Sequence, residues 1–386
     1  MIRLILLTDF TEAFPHNLLR GILRYAKEQS HEPWVACRMP PAFKDDNGIT
    51  GVLKWAKHWG ANAIIGRFDN DEDVTIFPKN GIVAVAQDFK QRFDTISNIT
   101  SDYLATGEMA ARFFLEKGFE NFAFYGYENI VWSDERSEGY RKAVTRAGFG
   151  NNYFEYKKQK LEELWYYEPT QVIEWLHSLP RHTALFCCDD TQGNKITEIC
   201  KLGNIDIPGD IALLGVDNDT TICGLSDPPL SSVNLDIERG GYETAHLITE
   251  LMNDETVHYH NVVIQPTGII SRTSTNIYAT DNPYILQTLD YIHQNLSHPI
   301  SIDDILRVLP MSRRLLEIRF KEVTGQTLYN YIIHQRMQYF AQLLIDSTAP
   351  VYDLALSIGM NNYGNVSRIF KSIEGCTPSE YRKKHR

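Results

Sequence analysis

Acidic side chains stand where short apolar runs stop: Asp9 after Leu4–Thr8, Asp88 after Ile82–Ala86, the pair Asp189-Asp190 after Ala184–Cys188, and Asp217 and Asp219 after Ile211–Val216. Carboxylates accept hydrogen bonds, so four such clusters suit a ligand rich in hydroxyl donors; each Asp taken singly could equally cap the helix that follows. Phe10, Phe14, Phe89 and Trp132 lie in or beside the same expected loops, with Trp132 in a polar one. Their rings could floor the apolar face of such a ligand.

The elements that must position these residues are short and regular. Apolar runs at Leu4–Thr8, Trp34–Arg38, Ala63–Phe68, Ile82–Ala86, Phe122–Gly126, Ala184–Cys188, Ile211–Val216 and Val262–Gln265 read as strands. Segments of helical period separate most of them: 16–28, 103–117, 135–147, 169–178, 191–202 and 236–253. Buried strands alternating with helices predict an α/β fold of parallel sheets covered on both faces, as one doubly wound sheet or two lobes joined by crossing strands. Ligands of such sheets bind beyond the carboxyl ends of the strands, where the Asp clusters fall.

A polar, aperiodic stretch at 271–283 reads as a linker. It divides a body, residues 1–270, from an all-α tail, residues 284–386. The net charge of −11 hides an asymmetry. The tail holds 12 Lys and Arg against 9 Asp and Glu, a net of +3; the rest holds 26 against 40, a net of −14. A basic tail on an acidic body points to a polyanion as the tail's partner.

Within the tail, Ser301 and Asp304 form a capping arrangement ahead of a short helix, and a second helix runs from Arg313 to Val323. Ser312, Arg313, Arg314, Glu317 and Lys321 fall at its start or on its outer face. The arrangement recurs: a helix through Leu354 and Ala355 ends at Gly359, and the next presents Asn361, Asn362, Asn365, Arg368 and Lys371. Two short helices about a tight turn make a helix-turn-helix unit, and two units read as a DNA-binding domain. Arg and Asn read guanine and adenine edges, while Lys or Arg neutralises phosphate.

At these residues a family resemblance enters. Ser312 to Lys321 with Gly325 looks like the first recognition helix of AraC-type regulators; Ile358-Gly359-Met360, Val366 to Lys371 and Gly375 to Arg382 resemble that family's closing segment. Asn365-Val366 and Ile318 depart from its usual residues. The body resembles the LacI/GalR and periplasmic sugar-binding fold: Arg136-Ser-Glu-Gly139-Tyr140 matches the motif whose Arg clamps sugar hydroxyls, and Cys188-Asp189-Asp190, Leu214 to Asn218 and Asp102 also match. Sensor first and AraC-type reader last is the order of bacterial xylose-operon activators. The resemblance implies a two-lobed periplasmic-binding-protein-like sensor, RNA polymerase as a partner and an aldopentose effector, D-xylose above others; a homodimer is expected because the site one tail covers is too short for genomic specificity. Arg136 would join Asp9, Phe10, Phe14, Asp88, Phe89, Trp132, Asp189, Asp190 and Asp217 around it.

The alternatives are a regulator of another sugar, or a sugar-binding or sugar-modifying protein with no role in transcription. G-x-G-x-x-G, G-x-S-x-G and P-loop patterns are absent from the sequence, so no catalytic residue, metal or cofactor is expected. The six cysteines include no C-x-x-C pair, and no leader or membrane span is read, which places the chain in the cytoplasm and against an exported binding protein.

Overall fold

Apolar strands dominate both halves of the body in the computed structural model, which describes residues 1–9, 13–28, 33–69, 71–158, 169–253, 259–277, 282–360 and 362–385. The chain forms two compact units, Met1–Leu115 with Glu120–Asn276, and Ile277–Arg386 with Glu116–Phe119.

The first unit contains two six-stranded sheets, so the two-lobed alternative holds. In chain order the strands are β1 (Ile2–Leu7), β2 (Trp34–Met39), β3 (Ala63–Gly66), β4 (Val83–Gln87), β5 (Ser97–Ser101), β6 (Asn121–Tyr127), β7 (Tyr153–Lys158), β8 (Thr183–Cys187), β9 (Ile211–Val216), β10 (Ser231–Leu235), β11 (Val262–Ile264) and β12 (Pro266–Ile270). One sheet has the order β11-β5-β4-β3-β1-β2 and is parallel throughout. The other runs β12-β10-β9-β8-β6-β7, with β12 antiparallel to β10 at its edge. The chain passes between lobes after β5, β10 and β11. These passages are bonded together, Asp102 N to Ile264 O at 2.9 Å and Asp236 N to Gln265 O at 3.0 Å.

The helices of this unit are α1 (Ala13–Glu28), α2 (Pro41–Trp59), α3 (Tyr103–Glu116), α4 (Val131–Arg146), α5 (Thr170–Ser178), α6 (Asp190–Leu202), α7 (Thr220–Leu225) and α8 (Ile237–Asn253). Glycines bring two pairs of them close. A Cβ on Gly139 of α4 would stand 2.2 Å from Leu104 O of α3, and one on Gly107 of α3 would stand 2.2 Å from Arg136 O. Gly21 and Gly241 do the same for α1 and α8. The glycine three residues after Arg136 therefore serves packing, while the arginine faces elsewhere.

Several elements depart from the sequence reading. β5 was not expected because Ser97, Asn98, Thr100 and Ser101 are polar, yet all are buried; Asn98 bonds Phe93 N and O and Asn261. The helix expected from residue 135 starts at Val131, so Trp132 is helical and not in a loop. Ser133 Oγ accepts from Tyr127 N and donates to Tyr127 O, folding the chain straight from β6 into α4. The expected linker at 271–283 is also only partly loose. Ser274 is fully buried, its hydroxyl donates to Leu213 O, and Arg272 donates to Asn218 Oδ1 at 2.8 Å. Residues 278–281 lie outside the described residues.

The second unit is helical: α9 (Pro283–Gln294), α10 (Ile302–Leu306), α11 (Arg313–Thr324), α12 (Leu328–Asp346), α13 (Val351–Ser357), α14 (Tyr363–Glu374) and α15 (Pro378–His385). It has two cores. Ile285, Leu289, Ile305, Leu316 and Phe320 pack with Tyr331 and Ile332 from the first half of α12. Met337, Phe340 and Leu344 from its second half pack with Leu354, Ala355, Val366 and Phe370.

Candidate functional site

The strands of both sheets deliver their carboxyl ends to one cavity of about 300 Å³. Phe14, Asp88, Phe89, Trp132, Arg136, Asp189, Asp190 and Asp217 all line it. Asp9 does not. β1 stops at Leu7, and from that strand end it is Thr8 that acts, donating its hydroxyl to Gln87 Oε1 at 3.1 Å while Gln87 lines the cavity. Phe10 lies outside the described residues. Asp219, one of the strand-end carboxylates, also lines it, whereas the sequence reading missed Ala13, Arg67, Tyr103, Tyr127, Thr191, Gln192 and Lys195.

Arg136 is the most engaged of these side chains. It is 3% exposed; Nη1 donates to Cys188 O and Nη2 to Asp217 Oδ1 at 3.3 Å. Its guanidinium lies 5.2 Å from the Tyr103 ring centre and 5.6 Å from that of Trp132, within cation–π range. Asp217 takes φ +97° and Asn218 φ +49°, a left-handed step that non-glycine residues seldom adopt and that concentrates at functional sites. Burial raises the Asp217 carboxyl, and Arg136 opposes that rise.

Asp189 and Asp190 divide their work. Asp189 caps α6, accepting from Gln192 N at 2.6 Å. Asp190, 2% exposed, accepts from Asp219 N at 2.8 Å through Oδ2. Burial pushes its carboxyl far above the usual range. Across the cavity, Asp88 is 3% exposed, and burial raises it to about 6 against the pull of Arg92.

Among the described residues, the buried lining atoms Asp88 Oδ1, Arg136 Nε, Asp190 Oδ1 and Gln192 Oε1 have no hydrogen-bond partner. Leaving such atoms unpaired is costly, so their gathering in one cavity marks a place for a polar ligand. Phe14, Phe89, Tyr103, Tyr127 and Trp132 supply its aromatic surface. Among the described residues no group of His, Cys, Asp and Glu could hold a metal, and no helix is long and apolar enough to cross a membrane.

In the helical unit, α11 is capped by Ser312 and stops at Gly325 with φ +70°. Leu316 and Phe320 are buried, whereas Arg313, Arg314, Glu317 and Lys321 are exposed. Arg313 Nε donates to Glu317 Oε1 at 3.0 Å. α14 repeats the plan: Asn362 caps it, Gly375 ends it at φ +74°, and Val366 and Phe370 point inward. Arg368 is exposed and donates to Asn365 Oδ1 at 3.0 Å, and Lys371 is exposed one turn on. Ser312 and Asn362, expected among the DNA contacts, are thus helix caps, and Asn361 lies outside the described residues.

Comparison with known proteins agrees with this division. A periplasmic binding protein-like domain model matches residues 111–275, and a helix-turn-helix domain model matches 305–384. The chain is 26% identical to the xylose operon regulatory protein of Escherichia coli (strain K12) over 391 residues, covering 98% of this chain and 96% of that one. It is 33% identical over 99 residues to the regulatory protein SoxS of Salmonella typhimurium, covering 25% of this chain and 92% of that one. Among solved structures, the xylose-binding transcription activator XylR superposes with a TM-score of 0.63 at 24% identity, covering 99% of this chain and 97% of that one. These relatives are regulators, not enzymes, and so is this chain. It is a transcription regulator in which a periplasmic binding protein-like domain is followed by a helix-turn-helix domain, similar over nearly its whole length to the xylose operon regulatory proteins.

Proposed function

We propose that the chain is a sugar-responsive activator: an aldopentose, D-xylose first, fills the cavity and changes how the helix-turn-helix domain engages promoter DNA. The four partnerless polar atoms of Asp88, Arg136, Asp190 and Gln192 carry this reading, because hydroxyl groups that both donate and accept can satisfy carboxylate, amide and guanidinium together. The aromatic lining suits the C–H face of a sugar ring. Its relatives named for the xylose operon support D-xylose over other pentoses.

In this reading Phe14, Asp88, Phe89, Trp132, Arg136, Asp189, Asp190 and Asp217 contact or shape the ligand. Arg313, Arg314, Glu317 and Lys321 face one major groove, and Asn365, Arg368 and Lys371 face the next. The sensor runs to Asn276, past the boundary expected at 270, and the reader occupies 284–386. One chain would cover about two helical turns, which rarely gives genomic specificity, so a homodimer at paired sites follows, in the cytoplasm beside RNA polymerase.

The test is calorimetric titration of D-xylose with and without saturating promoter duplex. Linkage requires that sugar and duplex strengthen each other by one common factor. Equal sugar affinity in both titrations would end the regulatory reading, and no binding of any aldopentose would end the sugar reading.

A further inference from the structure

Arg92 lies between β4 and β5, outside the cavity lining, yet it touches two carboxylates from opposite lobes. Its Nη1 and Nη2 donate to Glu135 Oε1 and Oε2 at 2.7 Å each. Its Nε donates to Asp88 Oδ2 at 2.9 Å and to Thr100 Oγ1 at 3.2 Å. Asp88 and Thr100 belong to the first lobe, whereas Glu135 sits on α4 of the second, immediately before Arg136. A backbone bond runs alongside, Val131 N donating to Phe89 O at 2.8 Å.

We infer that Arg92 is a positioning residue for the ligand: it holds Asp88 as a charged acceptor with Oδ1 left for the cavity, and ties that carboxylate to the lobe that carries Arg136. The inference rests on reading the cavity as a sugar site. A forked guanidinium can span two carboxylates with fixed geometry, and a lysine ammonium cannot. Asp88 therefore cannot shift without disturbing the α4 end that presents Arg136.

The charges around Asp88 set the direction of the effect. Burial raises its carboxyl, Arg92 lowers it, and Glu135 raises it again. From the passage between lobes the Tyr103 phenol faces it, and the Arg136 and Arg92 guanidinia lie near that ring. Take Arg92 away and a buried carboxyl is left facing Glu135 with the main opposing cation gone. Asp88 then holds its proton to higher pH and loses its charge-assisted bond to a sugar hydroxyl.

The test compares wild type with Arg92→Met, Arg92→Lys and Glu135→Gln in the full chain. D-xylose affinity is followed by calorimetry from about pH 5 to about pH 9, spanning the range in which a raised carboxyl titrates. Wild-type affinity falls as pH drops through about 6. In Arg92→Met the fall moves up by at least ~1 pH unit, so affinity drops at least about twofold at pH 7 and about fivefold at pH 6, and recovers towards alkaline pH. Arg92→Lys keeps the wild-type midpoint but binds more weakly; Glu135→Gln moves the midpoint down. An Arg92→Met protein that loses affinity equally at every pH overturns the inference and leaves only a structural role.

A ligand-free readout separates this inference from the sugar reading. A raised carboxyl makes stability fall as pH rises from the unfolded value to the folded one, after which stability levels off. The thermal-unfolding profile of Arg92→Met should keep falling beyond the pH at which wild type levels, and this extra fall should vanish in Arg92→Met/Asp88→Asn. Coincident profiles would overturn the role of Arg92 whatever ligand the cavity takes; a shifted profile without pentose binding would keep it and remove only the sugar.

Discussion

Asp190 Oδ2 accepts the backbone N–H of Asp219 at 2.8 Å, so a buried carboxyl on one strand end pins the loop leaving the next. Asp190→Ala strands that N–H and should cost about 1–3 kcal/mol in urea unfolding. Asp189→Ala, which removes a helix cap, should cost about 1 kcal/mol. An Asp190→Ala protein as stable as wild type would show that the loop stands without this bond.

Arg136 joins the Cys188 carbonyl to Asp217, and its Nε has no hydrogen-bond partner among the described residues. Arg136→Ala should weaken pentose binding at least ~tenfold, since a charge-assisted hydrogen bond is worth about 1.5–3 kcal/mol. Calorimetry reads the affinity, and cooperative thermal unfolding separates lost binding from lost fold. Affinity within about twofold of wild type would take Arg136 out of the ligand set.

Asp88 is held near 6, above the ordinary carboxylate value, so its ionisation opposes folding at neutral pH. Asp88→Asn should then stabilise the ligand-free chain at pH 7, by up to about 3 kcal/mol from a shift of about two units, while weakening sugar binding. The sign follows from the raised value: the wild-type deficit grows as pH rises from about 4 to about 6 and shrinks on acidification. Equal melting temperatures at neutral pH would contradict it.

Exposed Arg368 and half-buried Asn365 form a hydrogen-bonded pair on α14. Arg368→Ala in the full chain should weaken operator binding by about 1–3 kcal/mol and non-specific binding much less, if it reads a base. Salt titrations distinguish the alternative. A loss shared by all sequences, with the log–log salt slope reduced by about one unit, would make Arg368 a phosphate contact.

Apart from Asp9, the strand-end carboxylates were legible because apolar runs that stop at Asp declare both the strand and its ligand-facing end. Arg136 was legible only with its glycine and tyrosine, whose packing roles make the motif distinctive. Gln192 and Lys195 follow Asp189 on α6 and could have been found by carrying the helical period forward from that cap. Arg67 and Tyr103 offered no such signal, since their places depend on how the two lobes meet. β5 hid for a related reason: its polar side chains are buried by bonds to residues as distant as Asn261, which no local pattern contains. In the tail, the spacing of Leu316 and Phe320, repeated by Val366 and Phe370, was enough to separate inward from outward faces.

Arg272 has a use for anyone exchanging modules. The residues from Arg272 to Thr275, though they look like tether, are cemented into the sensor: Arg272 holds Asn218, the neighbour of Asp217, and the Leu230 carbonyl, while Ser274 holds Leu213 and Ser231. A chimera spliced at 270 would cut away the support of the Asp217 loop and lose its response through the sensor itself. The natural splice comes after Asn276, where a different reader can be attached with the ligand loop still braced.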